Sequence, residues 1–267
     1  MDGGAGQHHR AIFISDVHLG SRASRAQDLL DFLRGHDADV IYLVGDIVDF
    51  WSLKRGTYWP QLHNDVVQKL LRKARKGTRI VLVPGNHDEA LRAYCGASFG
   101  AIDILSETTH ETADGRRLLI THGDNFDGVV QYGRWLGYLG DQSYELALWS
   151  NGLLNRCRRQ LGLGYWSLSS HIKTRIKKAM RYIETFEETL AEDAQRRGYD
   201  GVVCGHIHHA AERRIGAMLY LNCGDWVESC TALVETRDGK FELIRWHDRQ
   251  ATPDVADHLP AQLAAAA

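Results

Sequence analysis

Residues 11–20 read Ala11-Ile12-Phe13-Ile14-Ser15-Asp16-Val17-His18-Leu19-Gly20. An apolar run of strand length stops abruptly in a carboxylate and an imidazole spaced one residue apart. The same arrangement recurs down the chain. Val40–Val44 runs into Gly45-Asp46, and Arg79–Val83 into Pro84-Gly85-Asn86-His87-Asp88. Leu118–Ile120 leads to Thr121-His122-Gly123-Asp124, and Gly201–Cys204 to Gly205-His206-Ile207-His208. Each run has the length and β-branched content of a buried strand and is followed by a turn. Leu29, Leu30 and Leu33, then Leu62, Val66, Leu70 and Ala74, recur at helical spacing between the early strands. Strands alternating with helices predict an α/β sheet, which places chemistry at the carboxyl ends of its strands.

From Asn125 to about Arg197 the pattern turns helical. Tyr132, Trp135, Leu136 and Leu139 share one face, and Ile183, Phe186, Leu190 and Ala194 another. This stretch interrupts the strand series and reads as a helical cap inserted at about 125–197. Ala217–Leu221, Thr231–Thr236 and Lys240–Trp246 read as antiparallel strands, with Asp238-Gly239 as a hairpin turn. The expected organisation is one catalytic unit over 11–248, with flexible tails at 1–10 and 249–267.

The 267 residues can bury a substantial core, and 44% apolar and 25% charged residues are ordinary for a globular protein. A net charge of −2 argues against a nucleic-acid partner. The five cysteines form no CxxC pair and read as reduced thiols of a cytosolic protein. Residues 1–10 lack the apolar stretch of a signal peptide, and no run approaches the roughly 18 apolar residues of a membrane span.

Phosphoester hydrolysis requires neutralised phosphoryl oxygens, a hydroxide at neutral pH and in-line geometry. Two metal ions about 3.5–4 Å apart supply all three. Such a site needs mixed oxygen and imidazole ligands, with one carboxylate able to bridge. Asp16-x-His18 and His206-x-His208 each put two ligands on one side of an extended segment. Neighbouring glycines let the backbone turn tightly enough for the side chains to converge. Imidazole with carboxylate suits manganese, with Fe, Zn or Co as alternatives, rather than Ca or Mg. A lone histidine at a strand end is usually a surface or hydrogen-bonded residue. Several in one ordered series need a common cause.

In order, Asp16-Val17-His18, Gly45-Asp46-Ile47-Val48-Asp49, Gly85-Asn86-His87-Asp88, His122 and Gly205-His206-Ile207-His208 resemble the motifs of the calcineurin-like metallophosphoesterase superfamily. The resemblance spans roughly residues 12 to 225. It implies a four-layer α/β/β/α sandwich with a helical cap insertion. It also implies two divalent metal ions, one held by Asp16, His18 and His208, the other by Asn86, His122 and His206, with Asp46 bridging. His87 would then lie over the phosphoryl group as an acid or charge stabiliser. Asp49 and Asp88 are expected to orient histidines rather than bind metal. Cys204 and Cys223 read as buried strand cysteines.

Ile14-Ser-Asp-Val-His-Leu-Gly20, His122-Gly-Asp124 and a helical insertion before Gly205-His-Ile-His208 are similar to the UDP-2,3-diacylglucosamine pyrophosphatases of lipid A synthesis. That resemblance implies attack on the pyrophosphate, releasing UMP and an acylated sugar 1-phosphate, usually with manganese. At His87 the chain departs from those enzymes, which carry Arg. The alternatives are a phosphomonoesterase or phosphodiesterase acting on another lipid or nucleotide, and a non-catalytic scaffold of the same fold. The inserted segment carries aromatics (Trp135, Tyr138, Trp149) and then cations (Arg156, Arg158, Arg159, Lys173, Arg175, Lys177). An apolar cap beside a cationic belt fits an amphiphilic phosphate-containing substrate and an anionic membrane surface. Ser170, Lys173, Arg175 and Trp135 are the expected substrate contacts, and a cytoplasmic enzyme peripheral on the inner face of the membrane is the expected setting. Residues from His171 to Arg197 run from basic to acidic, an order that opposes the helix dipole.

Overall fold

The computed structural model describes residues 7–129 and 168–250. Strand β1 (Gln7–Ile14) pairs in parallel with β2 (His36–Val44), and β2 with β3 (Arg79–Val83). Helix α1 (Ala26–Gly35) connects the first pair. The second is connected through the short helix α2 (Phe50–Arg55) and α3 (Gln61–Arg75). Two short strands, β4 (Ser98–Phe99) and β5 (Ile102–Ile104), extend one edge of the sheet. On the other side β11 (Thr231–Glu235) runs antiparallel to β1 and to β12 (Phe241–Arg245), which completes a seven-stranded sheet. The second sheet has five strands in the order β6 (Thr108–Glu111), β7 (Arg117–Ile120), β8 (Gly201–Cys204), β10 (Met218–Asn222) and β9 (Ala211–Ile215).

Side-chain alternation along the strands separates three apolar layers. Ile12, Ile14, Ile41, Leu43, Ile80 and Leu82 face α1 and α3 and pack with Leu29, Leu33, Val66 and Leu70. Ala11, Phe13, Tyr42, Val44, Val81 and Val83 point the opposite way, onto Leu118, Ile120, Val203 and Leu221 of the second sheet. The far side of that sheet packs Leu119, Val202, Cys204 and Tyr220 against Phe186, Leu190, Ala191 and Ala194 of α4 (Leu168–Arg196). The architecture is therefore α/β/β/α. Strands buried on both faces need continuous apolar runs, which accounts for the sequence pattern. Each fully buried Leu, Ile or Phe contributes about 1.5–3 kcal/mol.

Helix α3 starts after Pro60, which supplies a fixed φ at the helix entrance, and ends among Arg72, Lys73 and Arg75, where cations complement the dipole. Lys73 is buried, and its ammonium donates to the His36 carbonyl at 2.6 Å and pairs with Asp37. That contact anchors α3 on the start of β2.

The structure redraws the domain limits. Residues 7–10, expected in a flexible tail, form the first half of β1. Gln7, His8 and His9 register with His36, Asp37 and Ala38, and the His9 ring stacks on His36 at 5.1 Å. At the other end, helix α5 (Trp246–Gln250) runs past the expected boundary at 248. The expected insertion at 125–197 also changes meaning, because the C-terminal half of α4 is the outer layer of the sandwich. Its acidic run has a structural partner there: buried Glu187 pairs with Arg213 of β9 at 2.9 Å. Trp135, Tyr138, Trp149, Arg156, Arg158 and Arg159 lie outside the described residues.

Candidate metal centre

The loops leaving β1, β2, β3, β7 and β8 meet at one end of the sandwich and are bound to one another by backbone atoms. The N–H groups of Asp16, Val17 and His18 donate to the carbonyls of Gly45, Asp46 and Asp46 at 3.1, 3.0 and 2.9 Å. One oxygen of each central carboxylate continues the stitching. Asp16 Oδ2 accepts the His206 N–H at 2.9 Å, and Asp46 Oδ1 accepts the His87 N–H at 2.7 Å. Buried Asn222 donates through Nδ2 to the Gly205 carbonyl at 2.9 Å, fixing the turn that carries His206 and His208.

Bringing the side chains together strains the backbone. Asp16, His18, Asp46, His206 and His208 all have φ between 51° and 71°, the left-handed region that side-chain-bearing residues rarely occupy. Such strain costs of order 1–3 kcal/mol per residue and persists where surrounding bonds over-determine it. A side chain at Gly45 would overlap the His122 ring, and one at Gly85 would meet both Asp46 and His122. Only glycine allows these loops to approach so closely.

Two triads result. The donor atoms of Asp16, His18 and His208 lie within 4.8 Å of one another, as do those of Asp46, His122 and His206. His208 Nε2 stands 3.2 Å from Asp16 Oδ1. Asp46 Oδ2 faces both groups, 3.5 Å from His122 Nε2 and 3.9 Å from His18 Nε2. His122 donates Nδ1–H to the Val44 carbonyl at 2.9 Å, which turns its Nε2 inward. Asp16 Oδ1, His18 Nε2, Asn86 Oδ1 and His122 Nε2 are buried and lack a hydrogen-bond partner. Each such atom costs about 1–3 kcal/mol. Together with the Asp46 carboxylate these four atoms form a donor set that fits divalent cations.

Electrostatics agree with that fit. Burial alone would raise the Asp16 carboxyl, but His208 and His122 outweigh it and hold it at about 2. Asp46 likewise overcomes burial, through His122, His18 and His87, and lies well below the carboxylate range. Burial disfavours a charged His122, yet Asp46, Asp16 and Asp124 raise it to about 10.

His87 and Asp49 flank this core. His87 Nδ1 is 3.0 Å from Asp49 Oδ1, and His18 Nδ1 is 3.5 Å from Asp49 Oδ2. Asp49 thus faces two histidines. Asp88 engages the backbone. Its carboxylate accepts the Ile47 and Gly85 N–H groups at 2.8 and 2.6 Å, tying the β2 loop to the β3 loop. Burial, and next the charge of Asp46, raise its pKa despite those bonds. Trp51 was not anticipated; its ring lies 4.2 Å from that of His87. A tryptophan two residues after Asp49 was its only signal. Asn222 carried no motif. Of the expected substrate contacts, Trp135 lies outside the described residues. Ser170, Lys173 and Arg175 fall on the first turns of α4, with their side chains outside them. Cys204 and Cys223 are buried thiols, as expected, and burial pushes Cys204 to about 12.

The model of the calcineurin-like phosphoesterase family matches residues 9–210. The UDP-2,3-diacylglucosamine hydrolase of Pseudomonas aeruginosa is 27% identical over 209 residues, which covers 75% of this chain and 82% of that protein. The enzyme of the same name from Cellvibrio japonicus is 27% identical over 204 residues, with coverages of 75% and 82%. The DNA polymerase II small subunit of Methanothermobacter thermautotrophicus is 32% identical over 149 residues, but only 44% of this chain and 31% of that protein are covered. Among the described residues no helix is long and apolar enough to cross a membrane.

Proposed function

The chain belongs to the calcineurin-like phosphoesterases, and from that membership we propose a two-metal hydrolase that cleaves the pyrophosphate of UDP-2,3-diacylglucosamine or a related nucleotide-linked glycolipid. Asp16, His18 and His208 would hold one ion and Asn86, His122 and His206 the other, with Asp46 shared. The observation that carries this reading is the position of Asp46 Oδ2, which faces His122 of one triad and His18 of the other. When bound, the two ions supply positive charge for the phosphoryl oxygens and a water of lowered pKa.

The protein's own groups supply the rest. Asp49 fixes the His87 ring through Nδ1 and leaves Nε2 on the side of the centre, 4.0 Å from Asp46 Oδ2. From there His87 can place a proton on the departing phosphate oxygen or donate to a phosphoryl oxygen. The mixed imidazole and carboxylate donors favour Mn²⁺, with Fe, Zn or Co as substitutes.

The relatives named UDP-2,3-diacylglucosamine hydrolase support the substrate class. An enzyme on such a glycolipid would work in the cytoplasm, peripheral to an anionic inner membrane face. A scaffold role is disfavoured because no motif ligand is missing. Assay of the purified, metal-loaded chain against UDP-2,3-diacylglucosamine, simple phosphodiesters and phosphomonoesters tests the proposal. Release of UMP from the first, at the highest kcat/KM, is the expected result. A preference for monoesters would move the chain to the alternative reading.

A further inference from the structure

Arg22 follows His18 by four residues, just past the turn in which the Ser21 N–H donates to the His18 carbonyl at 3.0 Å. Its exposed guanidinium lies over the Tyr58 ring, 4.5 Å from the centroid. It makes no ion pair with a carboxylate among the described residues. Arg92, beside the His122 loop, differs: it is neutralised by Asp124 at 2.5 Å.

The platform under Arg22 is fixed. Tyr58 and Trp59 both meet His63 edge-on, at 5.8 and 5.3 Å between ring centroids. His63 in turn accepts the Gly20 N–H through Nδ1 at 3.1 Å. Gly20 lies midway between His18 and Arg22 and is covered by Leu53. One aromatic cluster thus holds the middle and the far end of the segment that leaves the metal centre. Stacking occupies the flat face of a guanidinium and leaves its N–H edge free for the two-point bonds it makes best with phosphate.

We propose that Arg22, preorganised on Tyr58, binds a second phosphate of the substrate, adjacent to the one engaged at the metal centre. This rests on the reading that a phosphoanhydride is cleaved there. A phosphoanhydride brings two anionic groups, and the Asp16–Asp46 cluster addresses only the scissile one. Arg22 would therefore be a specificity-determining residue that selects diphosphates over monophosphates.

Calorimetric titration of the metal-loaded protein with UMP and with UDP, at fixed free metal ion, tests the inference independently of turnover. Wild type should bind UDP more tightly than UMP. Arg22→Gln should lose roughly tenfold in UDP affinity while UMP changes less than about twofold. Tyr58→Leu, which removes the platform, should reproduce part of that loss, and Tyr58→Phe should not. UDP affinity that survives Arg22→Gln, equal losses for both nucleotides, or a wild type blind to the difference would overturn it. Failure of the functional reading is seen separately. If no phosphoanhydride were turned over, a UDP preference lost in Arg22→Gln would still uphold the anion site.

Discussion

The Asp49 carboxylate meets His87 Nδ1 at 3.0 Å and so fixes the ring whose other nitrogen faces the candidate metal centre. The same carboxylate caps α2, accepting the Ser52 N–H at 2.8 Å. Its two roles can be separated. Asp49→Asn keeps a good capping residue but loses the charge against His87 and His18, and kcat should fall roughly 10–100-fold. Asp49→Ala should lose about 1 kcal/mol of stability in addition. Thermal unfolding beside steady-state kinetics resolves the two. An Asn variant with normal kcat would mean that Asp49 only caps a helix.

His87 should act on chemistry more than on metal retention, because it is held by Asp49 and belongs to neither proposed ligand triad. His87→Ala is expected to lower kcat by on the order of 10²–10⁴ with metal content unchanged. Loss of metal would make His87 a ligand instead. His87→Arg restores the residue of the lipid A enzymes. If UDP-2,3-diacylglucosamine is the native substrate, the Arg variant should keep measurable turnover of it. Activity on that lipid seen only in the variant would identify a different native substrate.

Gly45 has a φ of +79°, and an added Cβ would overlap His122. Gly45→Ala should therefore displace the His122 ring, reduce bound metal and cost more than about 1 kcal/mol. Elemental analysis of the purified variant reads the first effect and denaturant unfolding the second. Full metal occupancy would show that the β2 and β7 loops can separate freely.

Acid should weaken the fold through His63. Burial lowers its pKa from the usual 6.5, and Nδ1 must stay unprotonated to accept the Gly20 N–H. The unfolded chain takes up this proton before the folded one. The contribution is thus fully present above about 6.5, is lost as pH falls towards the folded pKa, and changes no further below it. His63→Gln retains an acceptor without titrating in this range. Its unfolding free energy should fall less between neutral and mildly acidic pH than that of wild type. Parallel pH profiles would assign the acid lability to other groups.

The strands that end in ligands were legible because they are buried on both faces, so that Ile12-Phe13-Ile14 and Ile80-Val81-Leu82-Val83 read as unbroken apolar runs. Strands β4, β5 and β9 were not. β9 reads Ala211-Glu-Arg-Arg-Ile215, and three of its residues are exposed, so it has no apolar signature. β4 consists of two exposed residues, and β5 of three that are only partly buried. The polar start of β1 was mistaken for a tail because its partner in sequence terms, the His36 end of β2, is polar too. Motif spacing singled out Asp16, His18 and His208, and Asp46, His122 and His206, whose donor atoms the structure gathers into two clusters. It could not reveal that Asp16, His18, Asp46, His206 and His208 carry left-handed backbones, since none is glycine. Nor could it place Trp51 on His87 or assign Asp88 to backbone N–H groups, because those contacts depend on how the loops close.

A two-ion centre would be shared through Asp46, whose Oδ2 stands 3.5 Å from His122 Nε2 and 3.9 Å from His18 Nε2. The most direct measurement is metal stoichiometry, by elemental analysis, in active wild type and in Asp46→Asn. Two ions per chain are expected in wild type, and loss of at least one, together with turnover, in the variant. Full turnover with one ion or none, or an Asn variant that keeps two ions and a near-normal rate, would contradict it.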